Sequence, residues 1–347
     1  MPSNELKALI ELSARIGRDL NLVQAGGGNT SVKESGKLWI KASGKWMVNA
    51  GKEDMFVPVP QADIDRNLEA EDEKFPDYPT DSGTLLRPSV ETTMHAVFPH
   101  RVVIHVHSVS AIACAVQQRG EDFATDRLRG LKWAWIPYIH PGVPLALRIR
   151  ESLASRPDVL LLENHGLVVG ADDCESAERL LQDVERRLAA EIRPAPEPDR
   201  LLLNELLKGS SWNIAESAEH HAIATDPNSC RIAAGGTMYP DHCVYLGPAA
   251  PYLKLSESRP GESFTRAISS YVARHGYEPQ YVLVEGAGVL TSPGLSRAGT
   301  QLLTCLKRVL ERIQTNATVR YLEEPQVARL MNWDAEKYRL AVARQNE

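Results

Sequence analysis

The sequence has few cysteines, no excess of positive charge and no long apolar run. Its five cysteines include no C-x-x-C pair, and their odd number argues against a disulfide framework. The net charge is −6, so no overall positive field attracts nucleic acid or anionic lipid. No apolar segment approaches the roughly 20 residues that span a bilayer, and the polar stretch from Met1 to Lys7 does not resemble a signal peptide. We therefore expect a cytoplasmic protein that binds neither nucleic acid nor membranes.

The remaining composition is that of an ordinary globular protein. Of the 347 residues, 43% are hydrophobic and 24% are charged. At roughly 100–200 residues per domain, the length suggests two domains. The segment 193–198 has three prolines in five residues and cannot lie inside a helix. We therefore predict one domain over 1–195 and a second over 200–347.

Local patterns alternate between helical and strand-like spacing, which predicts an α/β fold. Helices are expected over 4–20, over 89–98 and from Asp172 or Asp173 to about Ile192. The strand-like segments are a hairpin over 32–42 that turns at Ser35-Gly36, a run at 102–104 and two short strands at 159–162 and 167–169. The polar, acidic segment 61–83 is expected to form a loop.

An internal repeat relates the two halves of the chain. The segment that starts at Val159 resembles the segment that starts at Tyr281, 122 residues later, and a helix-like pattern follows both. The two segments share a Glu and a Gly, but His165 in the first corresponds to Ala287 in the second. A chance match stays an alternative, because paired apolar runs are common. If the repeat is real, only the first half keeps the chemistry and the second is a degenerate, supporting copy.

The sequence His105-Val106-His107 follows an apolar β-type run and favours a metal site. Residues two apart on a strand point to the same face, so both imidazoles can reach one ion. Imidazole is a good ligand for Zn2+ and similar ions, and catalytic zinc sites use three protein ligands. We expect His165 to be the third, because it lies in a tight turn between two buried strands. Taken alone, the pair could equally be a satisfied or surface pair of histidines.

Three further segments have both a chemical and a structural explanation. Glu91 stands at an expected helix start, where it either complements the helix dipole or moves a proton beside the metal. The turn Gly26–Ser31 offers backbone N–H groups and hydroxyls that suit an anion, but Ser31 replaces the third glycine of the dinucleotide pattern. Ser43-Gly44-Lys45 is a second small-residue turn beside a cation. Either turn could also be an ordinary loop.

Taken together, five short motifs have a familiar order and spacing. They are Gly27-Gly28-Asn29-Thr30-Ser31, Ala42-Ser43-Gly44, Pro88-Ser89-Val90-Glu91, His105-Val106-His107-Ser108 and Asn164-His165-Gly166. Over about residues 5–192 the chain resembles the class II aldolase/adducin family, which includes fuculose- and rhamnulose-phosphate aldolases and ribulose-phosphate epimerases. Its length and repeat resemble the aldolase portion of aldolase/short-chain dehydrogenase fusions. We expect no dehydrogenase half within this sequence, because Tyr271 is followed four residues later by His275 rather than Lys.

The resemblance implies an α/β/α sandwich with a mostly antiparallel central sheet. It also implies a divalent metal, usually zinc, with Mn2+ or Co2+ as alternatives, held by His105, His107 and His165 beside Glu91 as the acid/base. The residues that it implies for a substrate phosphate are Asn29, Ser43, Gly44 and Ser89. Related enzymes assemble as tetramers with sites at subunit interfaces, so we expect a homo-oligomer, either a dimer or a tetramer.

Two features depart from the family pattern. Val90 stands where some relatives place a second phosphate-binding serine. The family tyrosine that protonates the leaving group from a neighbouring subunit has no clear counterpart, and Tyr138 and His140 are the nearby polar candidates. In the second half His242 is a candidate substrate contact, although a structural role is favoured for it.

These features predict a metal-dependent aldolase that cleaves the C3–C4 bond of a ketose, expected to be a ketose 1-phosphate, through a metal-stabilised enediolate. Epimerase relatives have Asp where this chain has Glu91, which favours carbon–carbon cleavage. A metal-dependent decarboxylase of a 3-keto sugar acid would need the same site and stays open as an alternative. A non-catalytic, adducin-like interaction module also stays open, although the heads of such modules lack the three histidines.

Overall fold

The computed structural model describes residues 3–73, 78, 86–254 and 260–345, which form two compact units. The first unit contains the chain up to Ala115, the segment Arg119–Ala189 and the residues from Asn332 onward. The second contains Val116–Gln118 and Ala190–Met331. The C-terminal residues, which the sequence places in a domain over 200–347, thus fold with the first unit. None of the described helices combines the length and the apolarity needed to cross a bilayer.

The first unit is a layered α/β structure. Its elements up to residue 189 are α1 (Asn4–Ile16), β1 (Asn29–Glu34), β2 (Lys37–Lys41), β3 (Phe56–Pro60), α2 (Gln61–Glu69), α3 (Thr92–Val97), β4 (Val102–Val106), α4 (Val109–Ala115), α5 (Gly120–Arg127), β5 (Trp133–Ile136), α6 (Val143–Ser152), β6 (Val159–Leu162), β7 (Gly166–Ala171) and α7 (Cys174–Leu188). The seven strands form one sheet in the order β3-β2-β1-β4-β7-β6-β5. All neighbouring strands are antiparallel except β5 and β6, which are parallel.

Alternating side chains divide the core between the two faces of this sheet. On β4, Ile104 packs in a cluster with residues of α1, α4 and α7. The preceding residue, Val103, points to the other face and packs in a separate cluster with residues of α3 and α6. Both faces of the central strands are therefore buried, which explains why their sequences read as continuous apolar runs. This arrangement confirms the predicted α/β/α sandwich.

The predicted local elements are mostly present, with three differences. The first helix ends at Ile16 rather than at residue 20, because the chain turns at Gly17. The helix expected over 89–98 begins at Thr92. The loop expected over 61–83 is wrong at its start, because α2 buries Ile64 and Leu68 while its polar residues face water. Residues 74–77 and 79–83 of that segment lie outside the described residues.

The second unit repeats part of this plan. Its elements, followed by the C-terminal helix of the first unit, are α8 (Arg200–Leu206), β8 (Asn213–Ile214), α9 (Ala222–Thr225), α10 (Pro227–Ala234), α11 (Pro240–Leu246), β9 (Tyr252–Leu253), α12 (Pro260–His275), β10 (Tyr281–Val284), β11 (Gly288–Thr291), α13 (Arg297–Leu310), α14 (Glu324–Asn332) and α15 (Asp334–Gln345). Short 3-10 helices occur at Met47–Asn49, Leu153–Ser155 and Ala218–His221. The four strands of the second unit pair in the order β8-β11-β10-β9, with β9 and β10 parallel.

The two units share strand order and hairpin register. The order β8-β11-β10-β9 reproduces β4-β7-β6-β5, including the parallel outer pair. Leu162 pairs with Gly166 in the first hairpin, and Val284 pairs with Gly288 at the same offset of 122 residues in the second. A helix follows each hairpin, α7 in one unit and α13 in the other. This agreement supports the predicted repeat and shows that it begins at the strand equivalent to β4.

The proline-rich segment before α8 is irregular, as predicted, but Arg193 anchors it within the second unit. The guanidinium donates to the carbonyl oxygen atoms of Leu310, Glu311 and Ile313 at the end of α13. It also lies 2.7 Å from the carboxylate of Asp226, and both side chains are largely buried. A cation at this position satisfies the carbonyl groups that a helix leaves unpaired at its C-terminus.

We expect the substitution Arg193→Ala to lower the free energy of unfolding by about 3 kcal/mol, because it removes the charged partner of a largely buried carboxylate and the side-chain donor to three carbonyl groups. Urea denaturation measures this value. Arg148→Ala is the control, since Arg148 forms an exposed pair with Glu151 that contributes at most about 1 kcal/mol. Equal losses in the two variants would contradict the anchoring role.

Candidate active site

Four buried side chains of the first unit converge at one end of the sheet. His105 lies on β4, His107 directly follows that strand, and His165 lies in the turn between β6 and β7. Glu91 directly precedes α3. One potential ligand atom from each residue lies within 4.8 Å of the corresponding atoms of the other three. The structure therefore brings together the three histidines and the carboxylate that the sequence indicates.

The turn that presents His165 is fixed by its neighbours. Antiparallel pairing of Leu162 with Gly166 closes a tight connection, and Asn164 adopts the left-handed conformation with φ 52°. Asn tolerates that conformation better than most residues. A Cβ on Gly166 would lie 2.6 Å from the carbonyl oxygen of Val106, so only glycine fits against β4. The tight turn that presents His165 thus explains the Asn before the histidine and the Gly after it.

The imidazole rings are arranged as a set of ligands. Ring centroids are 5.0 Å apart for His105 and His107, 5.0 Å for His105 and His165, and 5.4 Å for His107 and His165. His105 Nδ1 donates to the carbonyl oxygen of Leu167 at 3.0 Å. In the neutral ring this leaves the lone pair on Nε2, which lies 3.3 Å from Glu91 Oε2 within the cluster. A buried set of three imidazoles and one carboxylate fits a divalent cation of the zinc type.

Glu91 is buried, and its carboxylate faces the histidines rather than capping its helix. Burial alone would raise the pKa of this carboxyl group. Electrostatic interaction with the imidazoles of His105, His165 and His107, together with a hydrogen bond from Asn29, outweighs burial and lowers the pKa to about 2. Glu91 is therefore ionised at neutral pH and can accept a proton.

Asn29 and Ser89 lie directly beside this carboxylate. Asn29 begins β1 and pairs across the sheet with His105. Its Nδ2 donates to Glu91 Oε2 at 2.8 Å and to Ser89 Oγ at 3.0 Å. Ser89 Oγ also accepts from the backbone N–H of Glu91 at 3.2 Å. Two of the four predicted phosphate contacts are thus bonded to each other, and Asn29 is also bonded to the carboxylate.

The other two predicted phosphate contacts, Ser43 and Gly44, form a turn that packs against the glycine turn. A Cβ on Gly26 would lie 3.2 Å from Gly44 Cα, so the two backbones approach closely. The buried ammonium of Lys41 donates to the carbonyl oxygen atoms of Gly26 at 3.0 Å and Lys45 at 2.7 Å, and so joins the two turns. Ser43 Oγ is buried and has no hydrogen-bond partner among the described residues. Hydroxyl groups beside a buried cation suit an anion.

Comparison with known proteins assigns this arrangement to a family. The model of the family described as Class II Aldolase and Adducin N-terminal domain matches residues 7–192, more than half of the chain. The chain belongs to this family. A relative from Bacillus subtilis (strain 168), named uncharacterized oxidoreductase YuxG, is 25% identical over 405 aligned residues. The alignment covers 97% of this chain, which spans 58% of the length of that relative.

Solved structures of class II aldolases resemble a little more than half of the chain. The N-terminal class II aldolase domain of a Thermoplasma acidophilum protein has 26% identity and a TM-score of 0.48, over 54% of this chain and 93% of that one. The l-fuculose-1-phosphate aldolase of Thermus thermophilus has 20% identity and a TM-score of 0.36, over 59% of this chain and 98% of that one.

The three remaining candidate residues lie outside the four-residue cluster. Tyr138 is half-buried, and its backbone N–H donates to the carboxylate of Glu163. His140 is buried and its ring contacts Trp333 edge to face, with centroids 4.6 Å apart. His242 belongs to the second unit, where it is buried and its Nε2 lies 3.3 Å from Tyr281 Oη. These contacts agree with the structural role that the sequence favours for His242.

In the second unit, other residues occupy the positions equivalent to the three histidines. Leu290 pairs with Ile214 as Val168 pairs with His105, so Ile214 replaces the first histidine. Two residues further, Glu216 replaces His107, and Ala287 replaces His165. The repeated part of the second unit therefore keeps the strands of the family fold without its three histidines.

Sequence reasoning missed two contributors to the site. His95 lies four residues after Glu91 on α3, is fully buried, and contacts Asn29 Oδ1 through Nε2. Its spacing from Glu91 places the two residues on one side of a helical turn, and that spacing could have revealed it. The second contributor is α15, because a Cβ on Gly44 would lie 2.7 Å from Val342. No local pattern indicates a contact across so long a separation in sequence.

Proposed function

We propose that this chain is a divalent-metal-dependent lyase, an aldolase that cleaves the C3–C4 bond of a ketose 1-phosphate. The observation that carries the proposal is the buried cluster of three histidines and one ionised carboxylate in a member of this family.

The residues that would hold the cation are His105, His107 and His165. We propose Zn2+ as the ion, with Mn2+ and Co2+ as alternatives, since imidazole suits all three. When bound, a divalent cation supplies a Lewis acid that stabilises negative charge on substrate oxygen atoms.

Glu91 is proposed to move the proton at C3 of the substrate. In the condensation direction the ionised carboxylate removes a proton from this carbon, and in cleavage the same group returns it. Cleavage leaves the electron pair of the C3–C4 bond on C3, while the hydroxyl on C4 loses its proton as the carbonyl group forms. Tyr138 and His140 are our candidates for the group that exchanges this second proton.

Asn29, Ser43, Gly44 and Ser89 are proposed to bind the phosphate. The buried Ser43 hydroxyl and the nearby ammonium of Lys41 supply a donor and a positive charge. Binding of the phosphate, which does not react, would fix the position of the carbon atoms that do. A phosphorylated ketose should therefore be cleaved with a higher kcat/KM than the free ketose.

The second unit is proposed to be a supporting copy that completes an interface, in a homo-oligomer of two or four cytoplasmic chains. The five cysteines are free thiols, which agrees with a reducing compartment. A monomer in light scattering at micromolar concentration would exclude the oligomer and leave the aldolase proposal intact.

The decisive experiment is a cleavage screen with the protein loaded with Zn2+, Mn2+ or Co2+. Its substrates are ketose 1-phosphates, the corresponding free ketoses and 3-keto sugar acids. We expect aldehyde release from at least one phosphorylated ketose and about one bound ion per chain. Carbon dioxide release from a keto acid would instead identify a decarboxylase. Absence of both turnover and bound metal would indicate an interaction module.

A further inference from the structure

A line of hydrogen bonds runs from Ser31 to Glu91 behind the candidate metal ligands. Ser31 Oγ lies 2.7 Å from His95 Nδ1, and His95 Nε2 contacts Asn29 Oδ1. Asn29 Nδ2 in turn lies 2.8 Å from Glu91 Oε2. Ser31, His95, Asn29 and Glu91 are all buried, so their polar groups depend on one another rather than on bulk water.

The direction of every bond in this line follows from the orientation of the Asn29 amide. Its Nδ2, which only donates, faces Glu91 Oε2 and Ser89 Oγ, and its Oδ1, which only accepts, faces His95. His95 must then carry its hydrogen on Nε2 in order to donate to that oxygen. In the neutral ring Nδ1 is an acceptor, and the hydroxyl of Ser31 donates to it. Burial lowers the pKa of His95 to about 3, which agrees with a neutral ring.

The same amide also sets the direction of the Ser89 hydroxyl. Ser89 Oγ accepts from Asn29 Nδ2 at 3.0 Å and from the Glu91 backbone N–H at 3.2 Å. Two accepted bonds use both lone pairs of a hydroxyl oxygen, so the hydrogen of Ser89 is the group left to donate. A donor at this position suits an anionic substrate group. A flipped Asn29 amide would turn its oxygen toward Glu91 and remove the donor from Ser89.

We propose that His95 is a positioning residue that locks the Asn29 amide, and thereby holds both the Glu91 carboxylate and the Ser89 hydroxyl in their working orientations. The expected effect on kcat rests on the proposed function. The expected tautomer of His95 does not. His95 would act only through Asn29, so its loss should leave the metal-binding histidines in place.

The structural consequence is tested without turnover. In protein labelled with 15N in its histidine rings, we expect NMR to show that His95 is neutral with hydrogen on Nε2, both with and without bound Zn2+. Ser31→Ala removes the donor to Nδ1 and should leave the hydrogen on Nε2, because Asn29 Oδ1 still accepts from it. A native His95 with hydrogen on Nδ1, or a transfer of the hydrogen to Nδ1 in Ser31→Ala, would overturn the inference whatever the protein catalyses.

The kinetic consequence is tested with His95→Leu and His95→Gln, using the ketose 1-phosphate that the screen identifies. We expect the Leu variant to lose about 10–100-fold in kcat with unchanged Zn2+ stoichiometry, the usual effect of removing a group that orients a functional residue. The Gln variant keeps an N–H donor toward Asn29 and should recover most of this loss. His100→Leu is the matched control, since His100 bonds to the carbonyl oxygen of Pro157 rather than to the site.

These outcomes separate the two proposals. Wild-type kcat in His95→Leu, or a Gln variant no better than the Leu variant, would overturn the positioning role while the aldolase assignment stands. If the wild-type protein cleaves no ketose, the aldolase assignment fails and the NMR experiment alone decides on the amide lock. If His95→Leu does not fold, as circular dichroism would show, His95→Gln and Ser31→Ala supply the kinetic comparison.

Discussion

Replacement of Glu91 by glutamine is expected to lower kcat by about 10²–10⁴-fold, the contribution typical of a positioned acid or base. Glutamine keeps the shape of the side chain, and its amide oxygen can still accept from Asn29 Nδ2. It cannot take a proton from a substrate carbon. Because the three histidines are unchanged, metal content should stay near one ion per chain. Cleavage kinetics and metal analysis on the same preparation measure the two effects.

The matched control for this experiment is Glu178→Gln, which removes a carboxylate from a surface pair with Arg15. That variant should keep wild-type kcat. Full activity in Glu91→Gln would exclude Glu91 as the proton-transfer group. Loss of the metal in the same variant would show that the carboxylate is itself a required ligand.

His165→Ala is expected to have the second large effect, the loss of tight metal binding. It removes one of three proposed ligands, so the affinity for Zn2+ should fall by more than the roughly 10–100-fold that loss of an outer partner costs. A bound ion stabilises the folded state by about 2.7 kcal/mol when its free concentration is 100 times Kd. Thermal unfolding with and without Zn2+ should therefore show a metal-dependent increase in Tm for the wild type and little or none for the variant.

His100→Ala serves as the control for this change, because His100 belongs to the same unit but bonds to Pro157 and Asp158. It should keep the increase in Tm on addition of Zn2+. An equal increase in His165→Ala would show that His165 is not a metal ligand, and the aldolase proposal would then lose its principal support.

The sequence predicts the parts of this molecule that depend on neighbouring residues. Strand spacing places His105 and His107 together because side chains alternate along a strand. The turn at His165 follows from the small residues that flank it. The two halves of the repeat are visible because 122 residues separate equivalent hairpins without a gap. These features depend on local geometry, and local geometry can be predicted from the pattern in the sequence.

The features that the sequence did not reveal depend on burial or on distant contacts. Two buried residues, Ile64 and Leu68, suffice to fold α2 out of a segment that reads as a polar loop. His95 belongs to none of the sequence motifs. Its proposed role depends on its tautomer, which is determined by the residues that bond to its ring. The packing of Val342 against Gly44 joins opposite ends of the chain. Tertiary structure decides each of these features.

The return of α15 to the first unit affects the order in which the protein can mature during synthesis. The ribosome makes Ala190–Met331 before it reaches the residues that pack against Gly44. At about 5–20 residues per second, this interval lasts about 7 to 30 s. During it the turn at Ser43-Gly44 lacks its final neighbour, even though His105, His107 and His165 have already been made. The first unit is thus begun first and completed last.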